Sequence, residues 1–388
     1  MKVFIESGAL VHTAATGVNV LWQALEAGRI PQAPLPCPAY ENWPWPEVFA
    51  VAEPGAPELG VDRKILRTME KQAKLALYGA CLTASASPRL QDKQHKPSGR
   101  GLYLALPTVD EAVPPWSLLE TLQQESAQPT QPAELNSAEF LLREIPAFFG
   151  LSTLNSNACA HLSAQFNLMG AMGAYSPFAD AAFQALIDAA ESLCNGENHL
   201  ALVGAVSPKI NPHLLLQYSH WAWDGIASRV PAEASAFVVL DRQPPLSSST
   251  ATSLSGYARG FIANPAETAS QRAALLQQAV TRAGLTLEDL DWFLAGEDEL
   301  AEQKALQLAG ARADLPLLFS EAFLGYAGPA NPLINLNLAL AGLQQQRLLQ
   351  GGIDRPLQTR SADVRHVALS AAGPEGQYLV IVISREAL

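Results

Sequence analysis

Residues 176–205 read SPFADAAFQALIDAAESLCNGENHLALVGA. Phe178, Ala182, Leu186, Ala189 and Leu193 recur at helical spacing, and Ala179, Phe183 and Ala190 widen that stripe until little polar face remains. Ser176 is suited to the N-cap, Pro177 to the first helical position, and Gly196 to the stop. HLALVGAV follows as an apolar run of strand length, as expected of a strand buried on both faces. A helix covered on most sides and followed by a doubly buried strand belongs at the centre of an α/β protein.

The flanking sequence repeats the theme. KVFIESGALV alternates as a strand, and ATGVNVLWQALEAGRI gives a helix closed by Gly28. Residues 61–87 read as helical, EASAFVVLDRQ (233–243) as a strand, and LSGYARGFIA as another. QRAALLQQAVTRAGLTLEDLDWFLAG gives helix, turn and strand; NPLINLNLALAGLQQQRLL gives a helix; HVALSAAG and QYLVIVIS form a closing hairpin. PPLSSSTATS is the clearest internal boundary, dividing the chain into halves at 1–242 and 251–388.

Of the 388 residues, 48% are hydrophobic and 16% charged, enough for a large dry interior and a sizeable apolar interface. The net charge of −12 without a Lys/Arg cluster argues against nucleic acid. Cys37, Cys81, Cys159 and Cys194 form no C-x-x-C pair, which suits a reducing compartment. MKVFIESGALV is not a secretory signal, and LPLLFSEAFLGYAGPANPLINLNLALAGL is too interrupted to span a membrane. A cytoplasmic protein is expected.

Several tempting features have plain explanations. Cys159 and His161, two apart on a helix, point in different directions, and the histidines show no metal-ligand spacing. HWAW (220–223) reads as packing, and the acidic LAGEDELAEQ (294–303) as a solvated face.

Taken in order, VNVLWQALEAGR, CAHLSAQFNLMGAM, GENHLALVGAV, AGLTLEDLDWFLAG and the closing hairpin resemble a β-ketoacyl synthase of the thiolase superfamily over nearly the whole chain. The resemblance implies a thiolase-like α/β fold of two duplicated halves in a five-layer αβαβα arrangement. It also places the family's catalytic residues. The nucleophilic Cys falls on Ala179, the first His on Gly296, the second His on Tyr326, and the preceding Lys on Glu321. A thiolate at a helix N-terminus is what the chemistry needs, and a methyl group has nothing to ionise. The closing Gly-rich motif is thinned to AAGPEGQ.

This pattern resembles the chain length factor, the β-subunit of type II polyketide ketosynthases. The resemblance implies a heterodimer with an active ketosynthase, acyl carrier protein reached through that complex, no cofactor, and a shared acyl tunnel that sets chain length. The tunnel gate then falls on Ala147, Phe148, Gly150 and Leu154, with His213 where aromatic-type subunits carry Trp. Small residues at 147 and 150 suggest a long product, and Ala rather than Gln at 179 suggests an aryl-polyene-type branch. The alternative is an active ketosynthase-like acyltransferase using Cys159–His161 or Asp180.

Overall fold

A computed structural model of the chain describes residues 2–13, 15–28, 30, 33–34, 47–91, 96–107, 151, 154–210, 230–245, 250–296 and 298–388. In the first half, β1 is Val3–His12, α1 Val18–Glu26, α2 Lys71–Ala86, β2 Arg100–Ala105, α3 Asn155–Phe166, β3 Met172–Tyr175, α4 Asp180–Asn195, β4 Leu200–Val206 and β5 Ala234–Asp241. In the second half, β6 is Thr250–Phe261, α5 Thr268–Arg282, β7 Trp292–Leu294, α6 Glu299–Ala309, β8 Leu317–Leu318 and α7 Ala330–Gln345. The chain then forms β9 Arg347–Gly352, β10 Arg355–Ser361, β11 His366–Ala372 and β12 Gln377–Ala387.

The strands lie in the order β10-β9-β8-β7-β11-β12-β6-β1-β5-β4-β2-β3. Within this run the topology repeats. The first half is ordered β3-β2-β4-β5-β1 and the second β8-β7-β11-β12-β6, so that, once the β9–β10 hairpin at the edge is set aside, each places its third, second, fourth, fifth and first strands side by side. Directions repeat as well. β2 is parallel to β3 and β4, and β7 to β8 and β11. β5 is antiparallel to β4 and β1, and β12 to β11 and β6. The halves meet where β1 pairs with β6, Val3 opposite Leu254.

The two-residue period of each strand sorts its side chains between layers. On β4, Ala201, Val203 and Ala205 join the central core with α4, whereas Leu200, Leu202 and Val206 pack with α2 and α3. On β12, Leu379, Ile381 and Ile383 face the central core, and Tyr378, Val380 and Val382 face α5 and α6. α4 and α7 thus form the middle layer between the two halves of this sheet, each half covered outside by a helical layer. This is the five-layer αβαβα arrangement expected from the sequence.

Burial on all sides explains the composition of α7. Every residue from Ala330 to Leu343 is buried. Its three asparagines are bonded: Asn331 donates to Gly325 O (3.2 Å), Asn335 accepts from the Ser320 hydroxyl (2.5 Å), and Asn337 donates to Leu333 O (2.9 Å).

Two local expectations are corrected. α4 begins at Asp180 rather than behind Ser176, whose hydroxyl instead donates to Pro107 O at 3.1 Å. α7 ends at Gln345, where Gln346 turns left-handed (φ 55) and LLQGG enters a hairpin with β10. Among the described residues, no helix is long and apolar enough to cross a membrane.

Candidate functional site

The four positions that the sequence resemblance singles out gather around the N-terminal ends of α4 and α7. Ala179 is the N-cap of α4 and 2% exposed. Tyr326, 1% exposed, leads through Gly328 into α7. Gly296 follows β7, and the neighbouring Ala295 carbonyl accepts from Asn335 of α7 (3.5 Å). Glu321 opens the single turn Glu321–Leu324 after β8 and is 3% exposed. Such a place is chemically apt: two helix N-termini bring partial positive charge to the ends of parallel strands.

Ala179 contributes a methyl group. Tyr326 is locked through its backbone, its N–H donating to Val230 O (2.8 Å) and its carbonyl accepting from Ala232 N–H (3.0 Å). At Gly296 the next strand has closed in. A Cβ there would lie 2.9 Å from Ser370 O, 3.1 Å from Ala371 Cα and 3.2 Å from Ser370 C, all backbone atoms of β11. Over α4, the closing loop approaches so near that a Cβ on Gly373 would meet Asp180 Oδ1 at 2.7 Å and Gln377 Oε1 at 2.6 Å.

Behind Gly296 stands a buried polar network. Its N–H donates to Ser370 Oγ (2.8 Å), which donates to Glu302 Oε1 (3.0 Å). Arg272 donates to the same oxygen (3.0 Å) and Tyr378 OH to the other (2.7 Å). The Arg272 guanidinium also lies 4.8 Å from the Tyr378 ring centroid. Burial pushes the Glu302 carboxyl above its ordinary range, opposed by Arg272, Tyr378 and Ser370. The expectation of a solvated acidic face over 294–303 is therefore corrected. Glu302 is 0% and Glu299 5% exposed, and Glu299 accepts from Arg355 and Ile353 N–H. Their partners come from α5, β11, β12 and the β9–β10 turn, which no local pattern reveals.

One buried group near the site had no sequence signal. His12, at the end of β1, sits 5.6 Å from the Phe49 ring. Its Nε2 is 2.9 Å from Leu324 O. A carbonyl only accepts, so Nε2 carries the proton. Burial lowers its pKa to about 4.

The candidate dyad does not form. His161 Nε2 pairs with Thr68 Oγ1 at 3.2 Å, and burial raises the Cys159 thiol pKa, away from a thiolate. Of the expected tunnel gate, Ala147, Phe148, Gly150 and His213 lie outside the described residues. Leu154 is described, 46% exposed just before α3. Among the described residues no His/Cys/Asp/Glu group is arranged to hold a metal.

Two larger clefts open elsewhere, and neither is lined by Ala179, Gly296 or Tyr326. One, of 640 Å³, lies at the far end of α4 between β6 and α5; the other, of 490 Å³, lies between α1 and the turn carrying Glu321.

Solved structures share this architecture. A beta-ketoacyl synthase from Burkholderia phymatum STM815 superposes with a TM-score of 0.78 at 15% identity, covering 99% of each chain. The ishigamide ketosynthase/chain length factor gives 0.70 at 15% identity, again over 99% of each chain. The chain has the ketosynthase fold. The oxazolomycin ketosynthase domain OzmH KS7 of Streptomyces albus JA3453 agrees, with a TM-score of 0.75 and 16% identity over 99% of this chain and 74% of that one. No family model and no curated protein sequence matches the chain.

Proposed function

We propose that this chain is a non-catalytic, ketosynthase-like subunit that pairs with an active ketosynthase, in the manner of a chain length factor. One observation carries the reading. On a ketosynthase fold, the positions of the nucleophile, both histidines and the lysine hold Ala179, Gly296, Tyr326 and Glu321, and the backbone of β11 leaves no space for a side chain at 296. No thioester can form on a methyl group, and no imidazole stands at either position to stabilise an enolate. Residues 1–242 and 251–388 are its two halves, and the wall it contributes bounds an acyl tunnel at Ala147, Phe148, Gly150, Leu154 and His213. The product is a long polyketide or polyene, of aryl-polyene type, delivered on acyl carrier protein bound through the cytoplasmic complex.

The sheet edges support the pairing. β10 at one end carries Arg355, Pro356 and Arg360, the residues that discourage edge-to-edge association. β3 at the other end, MGAY, has no charge and no proline, and among the described residues it pairs only with β2. Met172 on the strand (53%) and Met169 shortly before it (71%) are exposed. An unguarded apolar edge of this kind fits an added strand from a partner.

Coexpression with an intact Cys–His–His ketosynthase tests the reading. A one-to-one complex whose product length shifts when Ala147 or Gly150 becomes Phe is expected. A monomer beside a competent partner, or acylation of the isolated chain by a thioester, would overturn it.

A further inference from the structure

A smaller cleft, of 270 Å³, opens where the two halves join, between β1, β6 and β12 and the last turns of α7. Ligand sites run from about 300 to 1,000 Å³, so its occupant must be compact. Ile5 and Arg385 both pair with Thr252, so the three stand in a row on one face of the sheet. On β12 the same face carries Leu379, Ile381 and Ile383, all in the central core. Arg385 thus ends an apolar row with a charge. Leu340 and Leu343 of α7, with Pro88 and Pro245, complete the apolar wall.

The charged residues of the described lining are Glu6, Arg89 and Arg385. The first two are matched. Glu6 Oε1 lies 3.0 Å from Arg89 Nε, and its Oε2 accepts from the Ser87 hydroxyl (2.7 Å). Arg89 also pairs with Asp241 and donates to Gln243 O (2.8 Å). Arg385 is different. It is half-buried, its Nε is buried without a hydrogen-bond partner, and no acceptor among the described residues bonds the rest of its guanidinium. Asp363, whose charge it feels, is committed to Arg365, accepting from its Nε (3.0 Å) and Nη2 (2.7 Å). The end of α7 is engaged too: Gln346 bonds the Gly342 carbonyl through its N–H and the Leu343 carbonyl through Nε2 (2.7 Å).

An arginine keeps its charge and its five donors, and a buried donor without an acceptor is costly. A carboxylate matches the guanidinium fork in both charge and shape. The surrounding aliphatic wall favours a carboxylate that carries an apolar body. We propose that this cleft binds a small organic carboxylate with an aromatic or alkyl body, its charge held by Arg385. Ala179, Gly296, Tyr326 and the expected gate positions take no part in its lining, so the proposal does not depend on the pairing and its test requires no ketosynthase activity.

Titration calorimetry of the full chain, alone or in its complex, with phenylacetate, phenylethanol and phenylethylamine decides it. Saturable binding of phenylacetate is expected, with phenylethanol at least about tenfold weaker and phenylethylamine without measurable binding, as a charge-assisted hydrogen bond requires. Arg385→Met, which keeps the apolar stem and removes the donors, should weaken phenylacetate at least about tenfold and leave phenylethanol no weaker. Gln344→Trp, at an exposed position in the last turn of α7, should fill the cleft and abolish binding of both. Equal binding of the three compounds, phenylacetate affinity unchanged in either variant, or no saturable binding at all would each overturn the proposal. Should Arg385→Met fail to fold, the contrast between phenylacetate and phenylethylamine on the unaltered chain still tests the charge, and Gln344→Trp still tests the place.

Discussion

Gly296→Ala is the sharpest probe of how closely β11 packs against the end of β7. The added methyl would stand 2.9 Å from Ser370 O and 3.1 Å from Ala371 Cα, inside van der Waals contact by several tenths of an ångström. Neither atom is the tip of a flexible side chain. Ser370 is held by Glu302 through its hydroxyl, and β11 is paired on both sides, with β7 and β12. Relief must come from moving backbone, as in overpacked cores, at a cost of about 1–3 kcal/mol. If the shift also breaks the 2.8 Å bond from Gly296 N–H to Ser370 Oγ, roughly 1 kcal/mol more is lost. With an unfolding entropy near 2.1 cal/mol/K per residue, a chain of 388 residues melts about 1 °C lower for each kcal/mol. Urea denaturation is therefore the better assay, because its midpoint resolves such a loss directly. Gly296→His should be worse still and should not fold stably even alongside Ala179→Cys and Tyr326→His. A Gly296→Ala midpoint equal to that of the parent would refute the closure and reopen the question of a side chain at this position.

Glu302→Gln should cost about 3–5 kcal/mol by leaving Arg272 buried beside a neutral group, and the paired change Arg272→Met with Glu302→Leu should recover part of it in urea melts. His12 is neutral in the fold with a pKa of about 4 against an ordinary 6.5, so the unfolded chain binds its proton first. Its contribution is complete above pH 6.5 and lost as pH falls towards 4, about 3 kcal/mol in all, and His12→Gln should flatten that slope. Ala174→Lys on β3 should weaken the partner complex at least about tenfold in sedimentation while leaving the melting of the isolated chain unchanged, because this residue is exposed on an edge strand.

The central helix and its following strand were legible because burial on every side leaves a local trace: an alanine-rich helix without a polar face, stopped by Gly196 at φ 79, then seven apolar residues of β4. The β9–β10 hairpin was not, since LQQQRLL is a good helical sequence and only pairing of Leu348 with Arg360 and Leu349 with Thr359 overrides it. The same distance effect hid His12, whose carbonyl partner lies 312 residues away, and the burial of Glu302, whose partners come from three other elements. The topological repeat also left no trace, because strand order and direction are set by which faces must be buried and many side chains satisfy that.

The positions onto which the resemblance carries the reagents are not voids. An emptied centre between two helix N-termini would be costly, since a cavity forfeits its packing contacts and bare helix ends are poorly solvated inside a core. Tyr326 meets the packing demand with one of the largest fully buried side chains in the molecule, and β11 meets it by closing against Gly296. Glu321, buried in the turn after β8, lies at the wall of the cleft beside α1.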